Sequence, residues 1–126
     1  MVEDTVGDYQ YGFRPERTAD AIFVFRQLCT QYAQRQDGGL HACFIDLTQA
    51  FDRVSWELLW HSLRISGTPD KLISILQTMY ENTALRVHTG PGEPTRDAFQ
   101  PNAGVRQGCI LSPTLFILLF EYVVLP

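Results

Sequence analysis

Phe44-Ile45-Asp46-Leu47-Thr48-Gln49-Ala50-Phe51-Asp52 decides how this chain reads. Aromatic and β-branched residues lead up to Asp46 like the end of a buried strand, and an Ala-Phe-Asp turn follows. A carboxylate at a strand's end is held rigidly, as a divalent ion requires of its ligand. Taken alone, an aspartate there is more often a turn former or a helix cap. Later in the chain comes Arg106-Gln107-Gly108-Cys109-Ile110-Leu111-Ser112-Pro113. Gly108 would let backbone approach a ligand closely, and Gln107 carries an amide that can both donate and accept a hydrogen bond. An isolated Arg-Gln-Gly means little; beside Asp46 it gains meaning.

Working outward, the expected order is helix, strand, helix, helix, hairpin, helix, an α+β pattern with helices on a small antiparallel sheet. Residues 1–11 are polar and read as loose. Thr18 is placed to cap a helix, in which Ala21, Ile22, Phe25, Leu28, Cys29 and Tyr32 recur at helical spacing up to Gln36. Asp37-Gly38-Gly39 stops it. Leu40 to Leu47 reads as a short strand, and Thr48 to Asp52 as a tight turn. Ser55 can cap a helix over Trp56–Ser66, with Gly67 just past its end. Thr68-Pro69-Asp70 opens the next, to about Glu81, with Leu72, Ile73, Leu76, Met79 and Tyr80 as a core stripe. Ala84–Thr89 and Arg96–Pro101 read as partner strands around the Gly90-Pro91-Gly92-Glu93-Pro94 turn. Ser112-Pro113 starts a mostly apolar helix to about Val124, with Ser112 as a cap rather than a nucleophile, since no base partner is evident.

The 126 residues fit one small domain, and a chain 45% hydrophobic, 12% aromatic and 19% charged can build a core. Cys29, Cys43 and Cys109 each sit in an apolar segment and read as buried, reduced thiols, which suits an intracellular setting, cytoplasm or nucleus. His41, His61 and His88 lack ligand-like spacing, which argues against zinc. The residues after Met1 do not read as a signal peptide, and Leu115 to Leu125, interrupted by Glu121, is too short to cross a membrane. The net charge of −4, with Lys71 the single lysine, speaks against nucleic acid when taken alone.

The two quoted stretches resemble the first two signature motifs of the reverse transcriptase palm, in the non-LTR retrotransposon branch. Gly12-Phe13-Arg14-Pro15-Glu16-Arg17-Thr18 resembles that branch's fingers motif, with Glu16 where glycine is usual and Thr18-Ala19 in place of Ser-Thr. The third palm motif, an aromatic-Ala-Asp-Asp hairpin, is not in the sequence. The expectation is therefore a partial reverse transcriptase domain over 1–126, with a fingers-side segment 1–39 and a truncated palm-side segment 40–126. The implied activity is RNA-templated DNA synthesis, with RNA template, DNA primer and dNTP as partners, no membrane, and the remainder of the polymerase needed for activity.

The resemblance assigns the roles. Asp46 becomes the catalytic ligand of two Mg²⁺ ions, with the Leu47 carbonyl as a further oxygen ligand. The amides of Gln49 and Ala50 face the triphosphate. Phe51 is either a ring beneath the incoming sugar that excludes a ribose 2′-hydroxyl or a core phenylalanine. Gln107 and Gly108 complete the nucleotide site. Arg14 and Arg17 contact template or phosphate, or sit on a solvated surface with Glu16 pairing one of them. Asp52 is read first as capping the turn or pairing with Arg53, and Trp56 and Trp60 as core. Two rival readings stay open: a domesticated or truncated module that binds nucleic acid or protein without catalysis, and a fragment of a group II intron maturase.

Overall fold

A computed structural model of the chain describes residues 5–15, 17–33, 39–88, 90 and 97–124. Its internal contacts divide it into two compact units, one up to Thr48 and one from Gln49 onward.

The first unit carries α1, Arg17–Ala33, with Asp20 in its first turn where a carboxylate complements the exposed N–H groups. Thr18 lies inside this helix and is not its cap. The expected extension to Gln36 and the Asp37-Gly38 stop lie outside the described residues. Apolar side chains recur along α1 as expected, but none of its seventeen described residues is buried. Phe25 meets Phe44 edge-on, with ring centroids 5.5 Å apart. The segment expected to be loose is partly tied: Gln10 N–H donates to the Gly7 carbonyl at 3.1 Å.

The expected strand over Leu40–Leu47 is not formed. Residues 39–47 carry no regular secondary structure, and Phe44 and Ile45 are 80% and 87% exposed. A strand exists through the neighbours that take up its N–H and C=O groups, and no described segment pairs with this one. The small antiparallel sheet is thereby corrected. Among the described residues there are four helices and one antiparallel bridge, Leu85 with Phe99, closed by two bonds of 2.9 and 3.0 Å. That bridge sits inside the two expected hairpin strands, whose turn lies largely outside the described residues.

The second unit holds the core. α2, Trp56–Ile65, begins as its sequence implies: the Ser55 side chain accepts from the Leu58 N–H at 3.5 Å, and Glu57 occupies the first turn. It ends at Ser66, followed by Gly67 at φ +78, a left-handed conformation that glycine adopts without a Cβ clash. α3, Asp70–Glu81, follows Pro69, whose fixed φ leads into the helix without a side-chain cap. α4 is Leu111–Val124, with Pro113 in its first turn, where the missing N–H costs nothing.

α2 packs against both α4 and α3. Leu59, Trp60 and Leu63 from α2, Ile73 and Leu76 from α3, and Leu115, Ile117, Leu118 and Leu119 from α4 are buried. Each such aliphatic side chain stabilises the fold by about 1.5–3 kcal/mol relative to exposure. Tyr80 makes T-shaped contacts with both Trp56 and Trp60, with centroids 5.6 Å away in each case, so the tryptophans pack as the sequence implied. The expectation of buried cysteines is corrected: Cys29 and Cys43 are exposed and Cys109 is half-buried, all three free. No helix among the described residues is long and apolar enough to cross a membrane.

Candidate nucleotide and metal site

In the second unit the turn after Asp46 is clamped to the loop before α4. Gln49 adopts φ +56, an uncommon conformation for a residue with a side chain, and its carbonyl accepts from the Arg53 N–H at 3.0 Å. Val105 N–H donates to the Phe51 carbonyl and Gly104 N–H to the Val54 carbonyl, each at 2.8 Å. Trp56 Nε1 donates to the Gly104 carbonyl, also at 2.8 Å. Gln107 Nε2 donates to Asp52 Oδ1 at 3.2 Å. The expected Asp52–Arg53 pairing is corrected, because Arg53 Nε donates instead to Gln49 Oε1 at 3.2 Å.

Phe51 is half-buried, its ring stacked on Phe116 with centroids 4.9 Å apart and planes 13° off parallel; Phe116 in turn stacks on Phe120. A concavity lined by Phe51, Gln107, Gly108, Cys109, Ile110, Ser112 and Pro113 opens beside that ring. A second hollow is walled by Trp56, Met79, Tyr80, Leu85, Pro101 and Val105, with Asp52, Arg106 and Gln107 among its polar lining. Gly108, at φ +79 with open space where a Cβ would point, leaves its backbone accessible.

Under the loop lies a small polar group. Ser112 is buried in α4 and donates to the Arg106 carbonyl at 2.6 Å, so it ties the loop rather than capping the helix. A backbone bond from Leu111 holds the Cys109 thiol below its ordinary range, helped by Ser112 and the Arg106 charge and opposed by partial burial. Burial pushes the Tyr80 hydroxyl up.

The first unit holds the other expected site residues. Asp46 is exposed, and its Oδ1 accepts from the Leu47 N–H at 3.1 Å. Arg14 Nη1 donates to the Gly7 carbonyl at 2.9 Å and to that of Gln10 at 3.5 Å. Arg17 Nη1 reaches both the side chain and the carbonyl of Asp8 at 3.3 Å. Both arginines thus grip the preceding loop. Glu16, expected to pair with one of them, lies outside the described residues.

The family model for reverse transcriptase (RNA-dependent DNA polymerase) matches residues 1–126. The chain belongs to the reverse transcriptase family. It is 28% identical over 112 residues to the Retrovirus-related Pol polyprotein from type-2 retrotransposable element R2DM of Drosophila melanogaster, covering 89% of this chain and 10% of that protein. It is 36% identical over 110 residues to the Transposon TX1 uncharacterized 149 kDa protein of Xenopus laevis, covering 85% of this chain and 8% of that protein. This reverse transcriptase chain therefore spans about a tenth of the length of these curated relatives. The kinship with non-LTR retrotransposon reverse transcriptases, expected from the motifs, is shown. No solved structure matches.

Reverse transcriptases use divalent ions, and the Asp46 carboxylate and Leu47 carbonyl are hard oxygen donors of the kind Mg²⁺ takes. They do not amount to a cage, since Mg²⁺ takes about six oxygens. Among the described residues no three Asp, Glu, His or Cys side chains gather to hold an ion. What the sequence alone did not reveal is the clamp: the close approach of Gly104 and Val105 to the turn, and the Asp52–Gln107 contact. The one available signal was a glycine placed between the motifs, in Asn102-Ala103-Gly104-Val105.

Proposed function

We propose that this chain is part of an RNA-directed DNA polymerase of a non-LTR retrotransposon, with a fingers-side segment over 1–39 and a palm-side segment over 40–126. Asp46 and the Leu47 carbonyl supply some of the oxygens for two Mg²⁺ ions, and residues of the wider polymerase supply the rest. Gln49, Ala50, Phe51, Gln107 and Gly108 bind the incoming dNTP, while Arg14 and Arg17 approach template or phosphate. The match of the reverse transcriptase family to residues 1–126 carries this reading. The bonded turn and loop around Phe51 and Gln107 support it, because rigid placement is what nucleotide positioning needs. RNA template and DNA primer are the partners this implies, in cytoplasm or nucleus.

Primer extension by a complete polymerase carrying this segment tests the roles. Asp46→Asn keeps the shape and removes the ligand charge, so synthesis falls by orders of magnitude while template binding, dominated by phosphate contacts, persists. Phe51→Ala keeps DNA synthesis and admits ribonucleotides, at some cost in stability from the gap left against Phe116. Near-normal synthesis by Asp46→Asn, or unchanged sugar selectivity in Phe51→Ala, would remove that residue's role. Primer extension by the 126-residue chain alone is expected to stay at the level of a no-enzyme control, because Asp46 and the Leu47 carbonyl do not by themselves make up an ion's set of oxygens. A second reading, a non-catalytic module that binds nucleic acid or protein, draws on the small number of oxygens that the Asp46 carboxylate and the Leu47 carbonyl offer. Template binding by a protein that extends no primer, with or without Asp46→Asn, would favour it.

A further inference from the structure

Asp52 has no role in the chemistry proposed above, yet its carboxylate meets the Gln107 amide across 55 positions of sequence, at 3.2 Å. The backbone on either side is fixed. Val105 and Gly104 donate to the Phe51 and Val54 carbonyls. Gly104, at φ +92, lies so close that a Cβ there would stand 2.9 Å from the Asp52 carbonyl oxygen. The two side chains are thus carried on segments whose spacing does not drift. The neighbouring cation does not compete for the carboxylate, since the Arg53 guanidinium is bonded to Gln49.

A carboxylate offers acceptors only, so it takes the NH₂ end of the glutamine and turns the amide oxygen away. A free glutamine presents either end. We infer that Asp52 is a positioning residue that fixes the Gln107 amide, so that Gln107 presents its carbonyl, an acceptor, to the hydroxyl-bearing nucleotide. This rests on the reading of Gln107 as a nucleotide contact; Asp52 itself touches no ligand. The arrangement selects for a donor on the nucleotide.

The test uses the whole 126-residue chain in dilute solution, with deoxythymidine triphosphate and Mg²⁺ as the probe. Affinity, hydrogen exchange over residues 104–110 and the thermal melt are measured together. Asp52→Ala is expected to weaken binding about tenfold, the size of one lost hydrogen bond to a charged acceptor. Exchange over 104–110 should quicken in that variant, with the melt nearly unmoved. Asp52→Asn keeps an acceptor oxygen and should recover most of the affinity, whereas a merely structural role would show as a lowered melt in Asp52→Ala. Gln107→Ala should lose as much as Asp52→Ala, and the double variant no more than either. If Gln107→Ala weakens binding and Asp52→Ala does not, the positioning role is overturned while the nucleotide reading stands. If Gln107→Ala binds like the parent, the nucleotide reading of Gln107 falls and takes this inference with it.

Discussion

At Gly104 two demands coincide that separate at Gly67. Both have positive φ, +92 and +78, so an alanine at either pays about 1–2 kcal/mol for left-handed backbone. Only Gly104 is also crowded: its Cβ would meet Asp52 backbone atoms at 2.9 and 3.2 Å, and backbone has no rotamer to swing away. At Gly67 nothing lies within 4 Å. Gly104→Ala should therefore lose roughly a further 1–3 kcal/mol beyond Gly67→Ala through forced displacement. Urea unfolding of the two variants checks this, and equal losses would mean that the turn and loop do not touch. Asp46, Phe51 and Gln107 were legible as candidates because their motifs are local. The Asp52–Gln107 contact was not, because it depends on two distant segments meeting. Arg53 was misassigned for a related reason: adjacency suggested Asp52, whereas the turn brings Gln49, four residues back, within reach.

The helices differ in how much of their behaviour the sequence could reveal. Ser55, Glu57 and Gly67 bracket α2 with local chemistry, and the element stands where those signals put it. Local signals also delimit α3, to within a residue at its start. The strand over Leu40–Leu47 was illegible in a different sense. Its apolar residues state a preference for burial but cannot name the partner, and no described segment takes that place. α1 poses the same question, with apolar residues at helical spacing and none buried. A substitution pair separates the two kinds of helix. Leu59→Ala, at 0% exposure on α2, should lose about 2–5 kcal/mol through lost transfer energy and the cavity left behind. Ile22→Ala, two-thirds exposed on α1, should fall within about 0.5 kcal/mol of the parent. Chemical denaturation of both decides; a large loss at Ile22 would show that α1 is covered in solution.

For the molecule as a whole, exposed apolar surface and charge act in opposition. Ile22, Phe23, Phe44 and Ile45 in one unit, and Ile110 in the other, each expose well over half of their surface. Large apolar side chains left this exposed favour association with a partner or with another copy of the chain. The net charge of −4 provides some repulsion between copies, but a screening length of about 8 Å at physiological salt confines it to close approach. Burial of apolar surface is comparatively insensitive to ordinary salt, so the attraction persists where the repulsion is screened. The chain should therefore associate as its concentration rises, more strongly as salt is added, and should bind an apolar dye in the dilute state. Sedimentation across a concentration series at two salt levels reads this directly. Substituting Ile22 and Phe44 together by serine should weaken association without moving the melt of the α2–α3–α4 core, because neither residue is buried in the chain. A monomer at every concentration, with no dye bound, would instead mean that these side chains are covered in solution by a packing other than the one described.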